Sequence, residues 1–470
     1  MKTKLLIISV LSLHFSLLLN TRFTVWPEML LYPFFLNSGL TLYKDIINPY
    51  LPLLSFFLLF WFKITDFSLI YLKIITWATI ISTDFLILLI SKKIFKDTKK
   101  AILSLLVYLI YQIAYGGNQP WFDLFTTPFL IIYFYFLIKL LFQKKISLIF
   151  FSGIFFAISF FIKQTTIWFV LPFLVINFKQ KKDFIKKTLI FLLPSILFFS
   201  FFSVVFVIQK NFHEFWFWSF KYPFSLLPQM PGHRLFPTAR QSLLYFSPVL
   251  LLIILSVLQI KESPVPPKKI MMTALIFTLI SILFCFPRWD IFHLQPTVAF
   301  ASFLIPPISF FFKKRTSYLK FFSFFLVILF FLITTLIIYK NILLNWQKPE
   351  RFFEPSIQKT AVWVKENTQK NDRIFVFNSE ENIYFLSQRL PSTPWAINFS
   401  WYLEIPGLQE RIIQGIKTQK PKYIIFQPFL PGGEYKIGSY RPTLLSEYIL
   451  TNYKKVKEFE IAIILENNEN

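Results

Sequence analysis

The sequence is poor in cysteine, glycine and charge. Its 470 residues include one cysteine, Cys285, which excludes an intramolecular disulfide and a thiolate metal cage. The chain has 10 glycines, too few for a collagen-like protein. Charged residues make up 16% of the chain, against about 25% in soluble domains. This composition argues against an ordinary soluble enzyme.

Apolar residues are correspondingly frequent. Hydrophobic residues make up 55% and aromatic residues 20% of the chain, and the mean hydropathy is +0.57, which excludes a disordered protein. Apolar runs recur at about the length, roughly 20 residues, that a bilayer-spanning helix needs. We therefore predict a multispan α-helical membrane protein with about 11 transmembrane helices. The predicted spans are residues 5–20, 67–91, 101–115, 121–142, 146–162, 166–178, 188–208, 242–260, 270–286, 292–312 and 319–339.

Basic residues cluster in alternate loops between these runs. Residues 92–100 and 179–187 are rich in lysine, whereas the intervening turn 116–120 has no basic residue. Because cytoplasmic loops retain positive charge, we expect a multi-pass plasma-membrane protein with a cytoplasmic amino terminus and an extracytoplasmic carboxyl terminus. We expect the first run to be an uncleaved helix rather than a signal peptide, since no small-x-small site follows it. Lysines that set the membrane topology account for the net charge of +25. We therefore expect no nucleic-acid partner.

Two outer loops and the carboxyl-terminal segment are too long to be simple connections. We predict a transmembrane domain over residues 1–340, with outer loops at 21–66 and 209–241. In the first loop, residues 48–62 predict a helix in the membrane interface, a twelfth span being the alternative. Residues 341–470 alternate helix and strand patterns, which predicts a small extracytoplasmic α/β domain.

Two carboxylates in the first outer loop are candidates for general-base chemistry. Glu28 follows Trp26-Pro27, and Asp45 follows Tyr43-Lys44. Ionisable residues at a membrane face are costly to desolvate, so such residues often mark a site. Either carboxylate could accept the proton of an acceptor hydroxyl. The alternative interpretation is that both are solvated loop acids.

Basic and polar residues at the same face are candidates for binding phosphate. Arg288 and His293 lie in a polar segment before the tenth predicted span, and guanidinium forms forked hydrogen bonds to phosphate oxygens. Lys163 and Gln164 lie in an outer turn, where the positive-inside rule gives no reason for a lysine. An interfacial anchor is the alternative role for Arg288. The sequence has no Asp-x-Asp pair, Gly-rich phosphate loop or metal-spaced histidine set.

The order of these features resembles the C-type membrane glycosyltransferases, specifically dolichyl-phosphate-mannose protein mannosyltransferases and bacterial aminoarabinose transferases. The resemblance covers nearly the whole chain. It is carried by the elements Glu28, Asn37-Ser38-Gly39, Tyr43-Lys44-Asp45, Pro49-Tyr50-Leu51-Pro52, the stretch 153–164 ending in Lys163-Gln164, Arg288 with His293 and Pro296, and the outer segment 361–386. The family's first acidic pair is usually Asp-Glu, whereas Pro27-Glu28 supplies one carboxylate.

The resemblance implies inverting transfer of a sugar from a polyprenyl-phosphate donor to a lipid, glycan or protein acceptor on the outer face. Glu28 would be the base and Asp45 a second base or an acceptor-orienting group. Lys163, Arg288 and His293, with Gln164 beside them, would bind the leaving phosphate. No cofactor is implied, and a divalent cation is optional. The alternatives are a lipid-linked glycan polymerase or ligase, and a non-enzymatic flippase or transporter of lipid-linked glycans.

Overall fold

A computed structural model describes residues 2–143, 145–178, 183–230, 232–260, 265–304, 317–427 and 443–468. The chain forms two compact units. The first unit comprises Met1–Phe23, Lys73–Phe201 and Phe236–Lys348, and the second comprises Thr24–Leu72, Phe202–Leu235 and Pro349–Asn470. The second unit therefore combines most of the two long outer loops with the carboxyl-terminal segment.

Helices account for most of the described residues. In chain order they are α1 (Lys2–Asn20), α2 (Pro27–Asn37), α3 (Leu53–Ile64), α4 (Leu69–Phe95), α5 (Thr98–Ala114), α6 (Phe122–Phe142), α7 (Ile146–Ile162), α8 (Val170–Phe178), α9 (Phe184–Ile208), α10 (Phe212–Trp216), α11 (Ala239–Gln241), α12 (Ser247–Ile260), α13 (Val265–Ile282), α14 (Gln295–Ala301), α15 (Ser317–Asn341), α16 (Pro355–Glu366), α17 (Ile383–Ser387), α18 (Ser400–Leu403), α19 (Leu408–Gln419) and α20 (Thr443–Asn452). Short 3-10 turns include Gln164–Phe169 and Ile291–Leu294, and π-helical segments occur at Phe217–Leu226 and Ser242–Phe246.

Seven helical segments in the described part of the chain are long and apolar enough to cross a membrane. They are Thr3–Asn20, Leu69–Phe95, Phe122–Phe142, Phe184–Ile208, Ala239–Val257, Lys268–Cys285 and Phe324–Asn345. Shorter apolar helices occur at Leu53–Ile64, Ile146–Ile162, Gln164–Phe178 and Ile291–Leu304. These helices support a multispan membrane protein, and the number 11 stays a prediction. Part of the tenth predicted span, residues 305–312, lies outside the described residues.

The first unit has an aromatic core built by its helices. Phe134 packs against Phe277 and Phe303 at ring-centroid distances of 5.1 and 5.0 Å. Gly153 allows a close approach of α7 to α9, because a Cβ at this position would lie 2.1 Å from the Phe191 carbonyl oxygen. Small residues at such contacts let helix backbones pack tightly within a membrane.

The second unit contains a mixed five-stranded sheet. Its strands are β1 (Arg373–Phe377), β2 (Leu390–Pro391), β3 (Tyr423–Phe426), β4 (Tyr453–Phe459) and β5 (Ala462–Asn467), in the spatial order β2-β1-β3-β5-β4. β1 pairs in parallel with β2 and β3, while β5 pairs antiparallel with β3 and β4. All four residues of β3 are buried, as expected for a central strand that is covered on both faces.

The first outer loop packs within this second unit against the segment around α17. Phe35 of α2 contacts Tyr384 and Trp395 at ring-centroid distances of 5.6 and 5.0 Å. The Trp395 backbone N–H donates to the Asp45 carbonyl at 2.8 Å, and its carbonyl accepts from the Ile47 N–H at 2.9 Å. These contacts join residues that are more than 300 positions apart in the sequence.

Candidate functional site

The first unit contains a buried cluster of one acid and two basic residues. Lys163 Nζ donates to both carboxylate oxygens of Asp123, at 2.7 and 2.8 Å. His293 Nδ1 lies 2.8 Å from Asp123 Oδ2 and 3.4 Å from Lys163 Nζ. All three side chains are buried. Buried charged groups are stable only when they are paired and hydrogen-bonded. The three side chains therefore hold one another in a fixed arrangement.

Three helix ends position this cluster. Asp123 lies in the first turn of α6, where the positive end of the helix dipole favours a carboxylate. Lys163 is the C-cap residue that directly follows α7, and His293 lies in the 3-10 turn Ile291–Leu294. Asp290 begins that turn, accepting from the Ile291 N–H at 2.7 Å. The polar side chains of the cluster therefore come from the ends of helices and from a short 3-10 turn.

Aromatic rings border the cluster. The Lys163 ammonium lies 5.2 Å from the ring centroid of Phe284, and Trp121 packs on Phe292 at 5.5 Å. An apolar border limits water and strengthens electrostatic interactions inside it. A cation in such surroundings can stabilise negative charge that develops on a bound group.

The structure brings two of the predicted phosphate-binding residues together. Lys163 and His293 are 130 residues apart in the chain and meet at Asp123. Gln164 follows Lys163 and is buried, whereas Arg288 is half-buried in the segment that precedes the His293 turn. Sequence reasoning did not assign Asp123 to the site. Its signal in the sequence was weak: Asp123 is an acid three residues after the predicted outer turn 116–120, and the sequence alone does not reveal its basic partners.

Glu28 is buried in the second unit. It occupies the first turn of α2 and is 2% exposed, so the interpretation as a solvated loop acid is wrong for this residue. Burial raises the pKa of Glu28 to about 8, and a hydrogen bond from its own backbone N–H acts in the opposite direction. A carboxyl that titrates near neutral pH suits a general base.

A second buried carboxyl, Glu381, belongs to the same unit. It lies between β1 and α17, is 4% exposed, and its Oε1 accepts from the Asn398 N–H at 2.6 Å. Burial raises the pKa of Glu381 well above its usual range, and the charges of Glu28 and Glu380 raise it further. Sequence reasoning missed Glu381, since Glu380-Glu381-Asn382 looks like an ordinary polar loop.

Asp45 has a local structural partner. Its Oδ2 accepts from the backbone N–H of Thr41 at 2.8 Å and from the Thr41 hydroxyl at 2.5 Å. The turn that it closes includes Tyr43, which has a positive φ of 72° and whose hydroxyl donates to the Tyr50 carbonyl at 2.8 Å. The half-buried Asp45 side chain thus shapes the loop after α2, and its role in chemistry stays a prediction.

Among the described residues, no group of three or more His, Cys, Asp and Glu side chains is arranged to hold a metal ion. The Asp123 cluster instead pairs its single carboxylate with a lysine and a histidine. The arrangement is suited to binding an anion that displaces or joins Asp123 around these two basic groups.

Comparisons with known proteins show what this chain is similar to. Residues 48–208 match the sequence model of the dolichyl-phosphate-mannose-protein mannosyltransferase family. A search of curated protein sequences finds no match. The fold is similar to solved C-type membrane glycosyltransferases, at sequence identities near the level that unrelated sequences reach.

Two structural neighbours illustrate the likeness. ArnT from Cupriavidus metallidurans bound to undecaprenyl phosphate is 10% identical, with a TM-score of 0.62 over 98% of this chain and 97% of that chain. The archaeal oligosaccharyltransferase AglB from Archaeoglobus fulgidus, in complex with an inhibitory peptide and a dolichol-phosphate, is 10% identical, with a TM-score of 0.52 over 89% of this chain and 69% of that chain.

The predicted resemblance to C-type membrane glycosyltransferases is confirmed. The chain has their fold, and about a third of it matches the mannosyltransferase family model. The family match and the apolar helices support a glycosyltransferase integral to a membrane.

Proposed function

We propose that this protein transfers a sugar from a polyprenyl-phosphate donor to a lipid, glycan or protein acceptor, on the extracytoplasmic face of the plasma membrane. The observation that carries the proposal is the buried Asp123–Lys163–His293 cluster in the membrane-spanning unit. A lysine and a histidine held in an apolar border are suited to the phosphate of a lipid carrier. The undecaprenyl phosphate bound by ArnT supports this choice of donor.

The proposed reaction inverts the configuration at the anomeric carbon. The acceptor oxygen attacks that carbon, the bond from carbon to phosphate oxygen breaks, and the lipid phosphate leaves with the electron pair. Lys163 and His293 neutralise the charge that develops on the leaving phosphate. Arg288 would contact the same lipid phosphate, and Gln164 would orient it.

Glu28 takes the proton that the acceptor loses, and Asp45 orients the acceptor. A buried carboxyl has the higher proton affinity that this step requires, since a strongly acidic carboxylate would be a poor base. The reaction as written balances without a cofactor, and it accommodates a divalent cation at the phosphate. The proposed topology places the amino terminus in the cytoplasm and the carboxyl-terminal segment outside.

Sugar transfer in proteoliposomes tests this function. The purified chain receives a panel of polyprenyl-phosphate sugars and extracts of candidate acceptors, and loss of donor is measured. Lys163→Met is compared with Lys145→Met, which removes an exposed lysine at the other end of α7. We expect Lys163→Met to reduce turnover at least about 100-fold and Lys145→Met to leave it unchanged.

Glu28→Gln and Asp45→Asn are measured in the same assay. Abolished transfer by an inserted and folded Glu28→Gln protein supports the base assignment. Full activity of Lys163→Met would overturn the phosphate site. Translocation of a lipid-linked glycan without consumption of any donor would instead identify a transporter.

A further inference from the structure

Gln295 joins the segment that carries His293 to the end of α5. It is the first residue of α14 and follows His293 by two positions. Its side-chain Nε2 donates to the Gln112 carbonyl at 3.0 Å and to the Tyr115 carbonyl at 2.8 Å. These carbonyls belong to the last turn and the C-cap of α5, where helical carbonyls lack partners within the helix. One side chain therefore caps α5 and fastens the start of α14 to it.

The two hydrogen bonds of Gln295 are buried. Gln295 is 1% exposed, and Gln112 and Tyr115 are fully buried. Among the described residues, Oε1 of Gln295 has no hydrogen-bond partner, so its hydrogen bonds are made through the amide nitrogen alone. Removal of this donor leaves two buried carbonyls without the bond that it gives them, and unsatisfied buried acceptors are costly.

A second contact attaches the same turn to the segment between α5 and α6. Phe292, directly before His293, packs on Trp121 at a ring-centroid distance of 5.5 Å. Trp121 is the N-cap of α6 and lies two positions before Asp123. The connection between α5 and α6 is itself fixed, because the Asn118 amide donates to two carbonyls around the end of α1, at 2.7 and 2.9 Å. The His293 turn is thus attached on both sides to the segment that leads from α5 to Asp123.

We propose that Gln295 is a positioning residue of the phosphate site, which sets the place of the His293 ring relative to Asp123 by binding the end of α5. This proposal rests on the proposed function, in which His293 neutralises the leaving phosphate. Gln295 acts through the short backbone that joins it to His293, whose Nδ1 lies 2.8 Å from Asp123 Oδ2. Displacement of such a group by about an ångström can lower a rate about 100-fold, so this attachment bears on turnover.

Nitrogen-15 NMR of the histidine rings tests the positioning without any need for activity. The chain has four histidines, and the variants His14→Gln and His293→Gln identify two of the ring signals by their loss. Gln295→Met keeps the length of the side chain and removes both hydrogen bonds. In nanodiscs, we expect this change to move the Nδ1 signal of His293, because the hydrogen bond to Asp123 governs the state of that nitrogen.

His14 shows whether α5 itself moves. Its Nε2 lies 3.0 Å from the side-chain Oε1 of Gln112, near the same end of α5. We expect the His14 signal to stay in place in Gln295→Met, because the change acts on the segment of His293 and not on α5. An unmoved His293 signal in the folded variant would overturn the proposal, and so would an equal displacement of both histidines.

Asn341→Leu is the matched control. The Asn341 amide donates to the Ala114 carbonyl at 2.8 Å, so it binds the same helix end but belongs to α15, which carries no member of the cluster. The His293 signal should stay in place in this variant, and its displacement would overturn the proposal. Gln295→Asn keeps the amide on a side chain one methylene shorter and should move the His293 signal less than Gln295→Met does. If Gln295→Met does not fold, Gln295→Asn decides by the same criterion.

Sugar transfer tests whether this positioning matters for the reaction. At saturating donor, Gln295→Met should lower kcat about tenfold. The same change in a His293→Leu chain should lower kcat no further, since residues that act through one group are not additive. An equal factor in both backgrounds would mean that Gln295 only stabilises the fold, and it would overturn the positioning role. If the wild type transfers no sugar, the proposed function fails, and the NMR comparison still decides whether Gln295 places His293.

Discussion

Oδ2 of Asp123 lies 2.8 Å from both Lys163 Nζ and His293 Nδ1. One carboxylate oxygen thus holds two basic groups that come from different helix ends. The relationship gives Asp123 a role distinct from that of a phosphate ligand. It fixes where the two basic groups stand, and in the proposed reaction it does so before the negatively charged donor binds.

Replacement of Asp123 should therefore impair the chemical step even though Asp123 is not itself proposed to bind the donor phosphate. We expect Asp123→Asn to lower kcat about 100-fold, because displacement of positioning groups by an ångström can cost that much. Asp123→Glu keeps the charge and should recover part of the loss. Single-turnover sugar transfer measures both variants, and equal rates for the wild type and Asp123→Asn would contradict the assignment.

His293 should contribute to the affinity for the lipid carrier. Loss of a charge-assisted hydrogen bond is worth about 1.5–3 kcal/mol, so His293→Leu should weaken binding of undecaprenyl phosphate at least about tenfold. His213→Gln alters an exposed histidine and serves as the matched control. Binding to the chain in nanodiscs gives the measurement. Equal affinities for the wild type and His293→Leu would remove His293 from the phosphate site.

Lys163 shows which part of the site the sequence could predict. The positive-inside rule accounts for most lysines of this chain but not for one in a turn that the sequence predicts to lie outside, so Lys163 stands out from its position in the sequence alone. Asp123 and Glu381 have no such signal. Each becomes informative only through a partner that lies 40 or more positions away, and tertiary packing alone creates that relationship.

The fold likewise has parts that the sequence predicts and parts that it does not. Apolar runs predict helices because composition and length suffice, and α7 occupies the residues predicted for the fifth span. Similarly, β1 occupies residues 373–377, where a short apolar run follows a polar turn. The sequence could not predict that the first outer loop packs on the segment around α17, because aromatic contacts such as that of Phe35 with Trp395 leave no periodic pattern.

The raised pKa of Glu28 predicts a specific pH dependence of transfer. A general base acts in its ionised form, so kcat/KM should rise with pH through about 8 and then level off. At pH 6 the rate should be about 100-fold below the plateau, since each pH unit below the pKa lowers the ionised fraction tenfold. Initial rates between about pH 5.5 and 9.5 check this expectation. A profile that is flat above about pH 5 would mean that an ordinary carboxylate, or none, is the base.

Gly415 should be indispensable for the packing of α19. A Cβ at this position would lie 2.0 Å from the Thr393 carbonyl oxygen, so a side chain forces the helix away from that backbone. We expect Gly415→Ala to lower the free energy of unfolding by about 1–3 kcal/mol, as overpacking commonly does. The nearby Lys417→Ala change is exposed and should have little effect. Denaturant unfolding of the two variants decides, and equal stabilities would mean that the backbone yields without cost.

A second buried polar network lies in the first unit, apart from the Asp123 cluster in sequence. His14 Nδ1 is 2.7 Å from Asp84 Oδ2, and its Nε2 is 3.0 Å from Gln112 Oε1. Asp84 Oδ2 and Gln112 Oε1 are both hydrogen-bond acceptors, so each can accept a hydrogen bond from an N–H of the ring. All three side chains are fully buried among α1, α4 and α5, and therefore each depends on the others for its hydrogen bonds.

Removal of one member should consequently cost more than removal of two. His14→Leu leaves the Asp84 carboxylate buried without its partner, and we expect a loss of about 3–5 kcal/mol in the free energy of unfolding. His14→Leu combined with Asp84→Leu replaces the pair by apolar groups, which is often nearly neutral, so the double variant should be the more stable of the two. Unfolding in detergent at matched pH gives the comparison. A double variant less stable than His14→Leu would mean that Asp84 holds the three helices together through contacts other than the histidine.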